Sequence, residues 1–349
     1  MTRPHHVTLA SLCYSLCALL FITGCAPRLQ EIGPVVDQPR LTATTIHTAD
    51  GVDLPLRVWL PRDDSLKVEE IKAVVIAVHG FNDYSKGMSI AGASLARRGI
   101  AVYAYDQRGF GRAPEPGIWP GNKQLIADLK LAADLVHRKY PDKPLFILGE
   151  SMGASVVMAA AAEAPPFPAS GLILVSPALW GWETQSNFNR HVLDWAAHLV
   201  PWLTVYPSGV RVLASDNTTA LRAMGRDPLV IKLTRVDSAY GLVGLMSQGY
   251  RALPVLGRAD RQVPPCLLLY GGREQVLTDQ SVRTAIQHLP DLPPDRLRVG
   301  LYPNGYHYLL RDLDARTVFT DIAAWMADPH QPLPSGADKV PLSALKFSR

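Results

Sequence analysis

Cysteine is scarce in this chain. Four occur in 349 residues, and three of these, Cys13, Cys17 and Cys25, crowd into the amino terminus. Only Cys266 lies in the body of the chain, inside an apolar run, so a disulfide framework is excluded. Charge is thin and balanced. Charged residues make up 19% and the net charge is +4, with no basic cluster, which speaks against a nucleic-acid partner. No group of Cys and His has metal-ligand spacing, so no metal is expected. Apolar residues reach 48%, which excludes a disordered chain and leaves a globular protein of one large or two smaller domains. Nothing in the sequence bears on oligomeric state.

The amino terminus carries a distinct segment. Arg3 supplies a short positive region, residues 7–22 are apolar and uncharged, and Ile22-Thr23-Gly24-Cys25 ends it. The run is short for a spanning helix. Its small-small-Cys ending resembles the bacterial lipoprotein signal, with Ile22 in place of the commoner Leu. The resemblance implies removal of residues 1–24, which takes His5 and His6 with it, and acylation of Cys25. Ala26 carries no inner-membrane retention aspartate, so enterobacterial sorting rules would send the protein to the outer membrane. Several acyl chains hold a protein far more firmly than one. Residues 25–39 are aperiodic and read as a tether, and residues 329–349, rich in Pro and polar side chains, as a loose tail.

Between these ends the pattern alternates. Residues 41–46 and 52–60 read as strands around an Asp50-Gly51 turn. Continuous apolar runs at 73–78, 100–105, 145–148, 171–175, 266–270 and 297–301 read as strands buried on both faces. Helical spacing appears at 86–98, 123–140, 279–288 and 313–326. Strand alternating with helix predicts an α/β fold with a mostly parallel sheet and helices on both faces. The alternation stops over about 178–256, where helical signals take over and four of the seven tryptophans fall. This reads as a helical cap. Phe188, Val192, Trp195, Leu199 and Trp202 recur on one helical face. Such a stripe either packs the cap onto the core, or lines an acyl-chain pocket or touches a bilayer.

Residues 145–164 read LFILGESMGASVVMAAAAEA. An apolar strand leads into Gly149-Glu150-Ser151-Met152-Gly153, and an Ala-rich helix follows. A serine in G-x-S-x-G between strand and helix is a nucleophile elbow: the turn lifts the hydroxyl clear of the sheet and aims the helix N-terminus at the same point.

Three further motifs flank the elbow: Val78-His79-Gly80-Phe81-Asn82, Asp106-Gln107-Arg108-Gly109-Phe110-Gly111 and Gly305-Tyr306-His307. Their order and spacing resemble the α/β-hydrolase family, in particular its monoacylglycerol lipase and lysophospholipase branch, over about residues 40–328. The resemblance implies an α/β-hydrolase fold and a Ser, acid, His triad in that chain order. His307, in a loop after the last strand, is the base. The backbone N–H groups of Phe81 and Met152 form the oxyanion hole. The family's Asp position, in a pattern like Gly-x-x-Asp, holds Glu274 here, and Asp279 is the rival acid, at the N-cap of the next helix. His79 is expected to brace its own loop, and Asp106 its glycine-rich turn.

The expected activity is hydrolysis of carboxylic esters of lipid-like substrates, monoacylglycerols or lysophospholipids, through an acyl-serine. That chemistry needs no cofactor. Two alternatives stay open: an acyltransferase using the same triad, and a non-catalytic lipoprotein that binds lipid in the same shell.

Overall fold

The apolar runs become neighbouring strands of one nine-stranded sheet. In a computed structural model of the protein, residues 26–61, 70–205 and 212–344 are described. The signal-like segment 1–24 and Cys25 lie outside them. The strands are β1 (Arg40–Leu41), β2 (Thr45–His47), β3 (Asp53–Trp59), β4 (Ala73–Val78), β5 (Ile100–Tyr105), β6 (Leu145–Glu150), β7 (Gly171–Val175), β8 (Thr204–Val205), β9 (Thr234–Arg235), β10 (Cys266–Gly271) and β11 (Leu297–Tyr302). The large sheet runs β1-β2-β3-β5-β4-β6-β7-β10-β11, and β8 and β9 form a separate pair. From β5 to β11 every pairing is parallel, whereas β1, β2 and β3 join antiparallel at one edge. The expected strand over 41–46 is broken into β1 and β2. The Thr42 hydroxyl accepts the N–H groups of Thr44 and Thr45 and so closes a turn between them.

The helices are α1 (Ser89–Ala96), α2 (Asn122–Lys139), α3 (Met152–Ala162), α4 (Asn187–Leu199), α5 (Thr218–Arg226), α6 (Val236–Ala252), α7 (Asp279–Gln287) and α8 (Ala315–Ala327). Alternate side chains of each interior strand feed two cores. Val74, Ile76 and Val78 of β4 share one core with residues of α2, α3 and α6. Ala73, Val75 and Ala77 share the other with α1 and α8. This layering is why those strands are apolar throughout rather than alternating.

Two expectations change. The region 178–256 is not all cap: α6 buries Val243, Leu245 and Met246 in the main core, and the place of a Cβ on its Gly249 lies 3.2 Å from Ser155 Cβ of α3. Helical periodicity alone does not separate a covering helix from a core helix. The described part of the tail, residues 329–344, is not loose either. Leu333 and Ala337 are buried in the second core, Arg298 of β11 pairs with Asp338, and its guanidinium also donates to the Pro329 carbonyl. Two apolar plugs and one carboxylate dock a segment whose overall composition is that of a loop.

The aromatic stripe points outward. Phe188, Val192, Trp195 and Leu199 are 75%, 49%, 68% and 59% exposed. The inward side of α4 is Leu193, packed on the core, and buried Ala197. The stripe therefore does not pack the cap onto the core.

Candidate active site

The strand order reverses around β4, which lies between β5 and β6. Crevices at the carboxyl ends of strands beside such a switch point are where ligands bind in open α/β sheets. The candidate residues gather on that edge. Phe81 follows β4, Ser151 follows β6, Glu274 follows β10 and His307 follows β11.

Ser151 sits at φ 55°, ψ −119°, a strained conformation for a residue with a side chain. The glycines on either side permit it. A Cβ on Gly149 would stand 2.5 Å from Ala154 Cα, and one on Gly153 would stand 2.2 Å from the Val78 carbonyl oxygen. The helix can start this close to β4 only without those atoms. The Ser151 N–H donates to the Val175 carbonyl at 2.9 Å, which fastens the turn to β7.

The sequence-predicted residues meet. Ser151 Oγ lies 2.9 Å from His307 Nε2, and His307 Nδ1 lies 2.7 Å from Glu274 Oε2. A carboxylate only accepts, so Nδ1 carries the proton and Nε2 is left to accept from the serine hydroxyl. Glu274 Oε1 in turn accepts the N–H groups of Val276 at 2.6 Å and Leu277 at 3.0 Å. Burial would raise the Glu274 pKa, but the charge of His307 and these hydrogen bonds outweigh it and hold the carboxyl below its ordinary value. Burial alone would lower the His307 pKa, and Glu274 outweighs that too, raising it above 6.5. The rival Asp279 is engaged elsewhere, paired with Arg283 at 2.5 Å. It is the first residue of α7 rather than its cap; Thr278 caps the helix by accepting the Ser281 N–H.

The Gly80–Phe81 turn lies against the elbow, since a Cβ on Gly80 would be 3.3 Å from Ser151 Cβ. Met152 opens α3, whose N-terminus carries partial positive charge. The Phe81 ring packs at 5.7 Å from Phe110 and 6.3 Å from Trp119. These rings line a small apolar pocket that Ile231 and Ser238 close from the other side. The Ile231 N–H donates to the Asn82 carbonyl at 2.9 Å, and Asn82 Nδ2 donates to Thr234 Oγ1 at 2.7 Å. The covering segment is thus hydrogen-bonded to the Phe81 loop.

His79 is buried and neutral, its pKa lowered chiefly by burial. Its Nδ1 donates to the Gly80 carbonyl at 2.8 Å, and its Nε2 accepts the Gln107 N–H at 3.0 Å. It braces two loops. Asp106 accepts from the N–H groups of Ser85 and Arg112 and holds its own turn.

The motifs do not announce one cluster. Arg311, four residues past His307, lies buried with Nη2 at 2.5 Å from Asp83 and 2.8 Å from Glu150, and its guanidinium stacks 4.4 Å over the Tyr308 ring. One cation therefore joins the Phe81 loop, the elbow and the histidine loop. Burial raises the Glu150 pKa despite the pull of Arg311. The signal in the sequence was a glutamate at the end of a wholly apolar strand, which needs a cationic partner to be buried there.

A family model described as serine aminopeptidase, S33, matches residues 69–314. Human monoglyceride lipase is 28% identical over 299 residues, covering 84% of this chain and 91% of that protein. The monoacylglycerol lipase of Mycolicibacterium smegmatis is 24% identical, covering 79% of this chain and 93% of that one. Among solved structures, a soluble variant of Saccharomyces cerevisiae monoglyceride lipase in complex with a substrate analog is similar with a TM-score of 0.66 at 19% identity, over 86% of this chain and 99% of that chain. The Paleococcus ferrophilus monoacylglycerol lipase is similar with a TM-score of 0.62 at 18% identity, over 79% of this chain and 99% of that chain. At such identities the structural likeness speaks to the fold, which is that of the α/β-hydrolases. The match to the family model spans well over half of the chain, and the protein belongs to the serine aminopeptidase, S33, family of α/β-hydrolases.

Proposed function

We propose that the protein is a serine hydrolase that cleaves carboxylic esters of lipid-like substrates, monoacylglycerols or lysophospholipids, at a bacterial membrane to which an acylated Cys25 tethers it. The hydrogen-bonded chain from Glu274 through His307 to Ser151 carries this reading. His307 takes the proton from Ser151 as the serine oxygen attacks the ester carbonyl. The N–H groups of Phe81 and Met152 receive the oxyanion. His307 then gives its proton to the leaving alcohol, and an acyl-serine remains. Water then attacks the acyl carbonyl as His307 takes its proton, and His307 gives that proton to Ser151 Oγ as the acyl–oxygen bond breaks and the fatty acid departs. Glu274 keeps the imidazole in the required tautomer and stabilises its cation. The names of the relatives support the substrate class. The amino-terminal segment supports the anchor and a place in the cell envelope, at the outer membrane.

A fluorophosphonate probe mapped by peptide mass is expected on Ser151, and the folded Ser151→Ala variant is expected to lose turnover of a medium-chain monoacylglycerol. Unchanged turnover in that variant would refute the reading. The mass of the amino-terminal peptide tests the acylation of Cys25.

A further inference from the structure

His307 reaches Ser151 from a loop, and such a base is placed only as well as the backbone that carries it. The two backbone N–H groups that flank His307 have different partners. The Tyr306 N–H donates to Asp312 Oδ2 at 2.8 Å, and the Tyr308 N–H donates to the Ala214 carbonyl at 2.8 Å. Asp312 belongs to the same loop. Ala214 belongs to the segment 212–217, which lies in the covering region and leads into α5.

One carboxylate joins the two. Asp312 Oδ1 accepts the Ser215 hydroxyl at 2.6 Å, so Asp312 holds the histidine loop with one oxygen and the covering segment with the other. Both side chains are buried. Burying a carboxylate is costly unless its hydrogen bonds are made, and those bonds are then strong and directional. Closing the loop does not require it. The task of opening α8 falls to the Asp312 backbone, whose carbonyl accepts the Ala315 N–H at 3.0 Å. Further bonds follow the same contact. Ser215 Oγ accepts the Asn217 N–H at 3.1 Å, Asn217 Nδ2 donates to the Arg311 carbonyl at 2.9 Å, and the Leu313 N–H donates to Asp216 Oδ1 at 2.8 Å. The Leu213 N–H donates to Gln275 Oε1 at 2.9 Å, one residue past Glu274. Residues 213–217 therefore bond the loop of the base and the loop of the acid alike.

We propose that Asp312 and Ser215 are positioning residues for the triad: the Ser215–Asp312–Tyr306 hydrogen-bonded link fixes the backbone of His307 against the segment 212–217, so that this segment is part of the catalytic machinery and not only a cover. The proposal rests on the ester-hydrolase reading and deepens it. It acts through placement of the imidazole, which every step of the reaction uses, and not through contact with the substrate. Losing the link therefore lowers kcat and kcat/KM together and leaves KM in place.

The test uses the full chain in detergent and a water-soluble butyrate ester, with kcat counted per Ser151 that takes a fluorophosphonate label, so that unfolded protein does not enter. A second readout is the downfield proton resonance of the His307 Nδ1–H that faces Glu274, assigned by its loss in His307→Gln. Asp312→Ala is expected to lower kcat about 10²-fold and Ser215→Ala about tenfold, each with KM within about twofold of the wild type and with the resonance shifted or broadened. The double variant is expected to match Asp312→Ala alone, because Ser215 acts through Asp312. Asp312→Asn can still accept from Tyr306 and donate its amide to the Ser215 oxygen, and it is expected to recover most of kcat and the resonance. Asp312→Asn as slow as Asp312→Ala overturns the proposal, because the lost charge and not the lost placement is then at fault. Losses that multiply in the double variant overturn the link through Ser215. Should Asp312→Ala fail to fold, a folded Ser215→Ala with wild-type kcat and an unmoved resonance overturns the proposal by itself. A wild type that hydrolyses no ester and takes no label overturns the hydrolase reading instead. The resonance then still decides the placement: moved in Ser215→Ala, it supports the link, and unmoved, it overturns it.

Discussion

The substitution Glu274→Gln isolates the part played by the acid. In the wild type, Glu274 Oε1 accepts two backbone N–H groups and Oε2 accepts the proton on His307 Nδ1. Glutamine keeps the shape but has one accepting oxygen. If that oxygen stays with Val276 and Leu277, the amide NH2 faces Nδ1, and two donors oppose each other. The imidazole then moves its proton to Nε2, which no longer accepts from Ser151. The opposite orientation of the amide sets its NH2 against two backbone donors inside a site where Glu274 is fully buried. Both arrangements fail. The corresponding amide replacement in another serine enzyme lowers kcat by about 10⁴, which at about 1.4 kcal/mol per tenfold is about 5 kcal/mol of barrier. A loss of about 10³–10⁴ in kcat is expected here, measured on a soluble ester with the fold checked by circular dichroism. The pH profile moves as well. The base must be neutral, and Glu274 raises the His307 pKa in the wild type against burial, so the acid limb of kcat/KM is expected at a higher pH than a free imidazole would give. In the variant the largest opposition to burial is gone, the neutral imidazole is favoured, and the midpoint of the residual activity is expected to fall. A variant that keeps more than about a tenth of wild-type kcat would refute this account. A comparable loss in Asp279→Asn, with Glu274→Gln mild, would transfer the role to the rival.

Other outcomes follow from buried charges. Arg311→Met leaves Asp83 and Glu150 without their shared cation and is expected to cost about 3–5 kcal/mol in urea unfolding. Adding Asp83→Asn and Glu150→Gln should recover much of it. In Arg311→Met the acid limb should move upward, opposite to Glu274→Gln, because Arg311 depresses the His307 pKa and Glu150 raises it. Truncation after Asp328 removes Leu333, Ala337 and Asp338 and strands Arg298 in the core. A cost of about 3–5 kcal/mol is expected, read as a fall in Tm of about 2–4 °C per kcal/mol. A truncated chain as stable as the full one would show that the docked tail contributes nothing.

Local pattern determined a good deal of this protein. The elbow is legible because strand, glycine, serine, glycine and helix are contiguous, so the chemistry that needs them leaves a contiguous mark. The interior strands are legible because burial on both faces requires unbroken apolar runs, and 171–175 reads as the strand that forms. The positions of His307 and Glu274 follow from motif order, but their meeting across 33 residues of chain is a fact of β10 and β11 lying side by side. Tertiary structure alone decided four things. It turned the stripe of α4 outward, because periodicity fixes a face but not what the face meets. It assigned α6 to the core rather than the cap. It docked the tail and the residues around Gln30, whose side-chain Nε2 faces the Pro114, Glu115 and Ile118 carbonyls, through a few contacts too sparse to alter composition. It also brought Asp83, Glu150 and Arg311 to one point. Each of the three stands in a different segment, and a buried charge becomes intelligible only beside the partner that neutralises it.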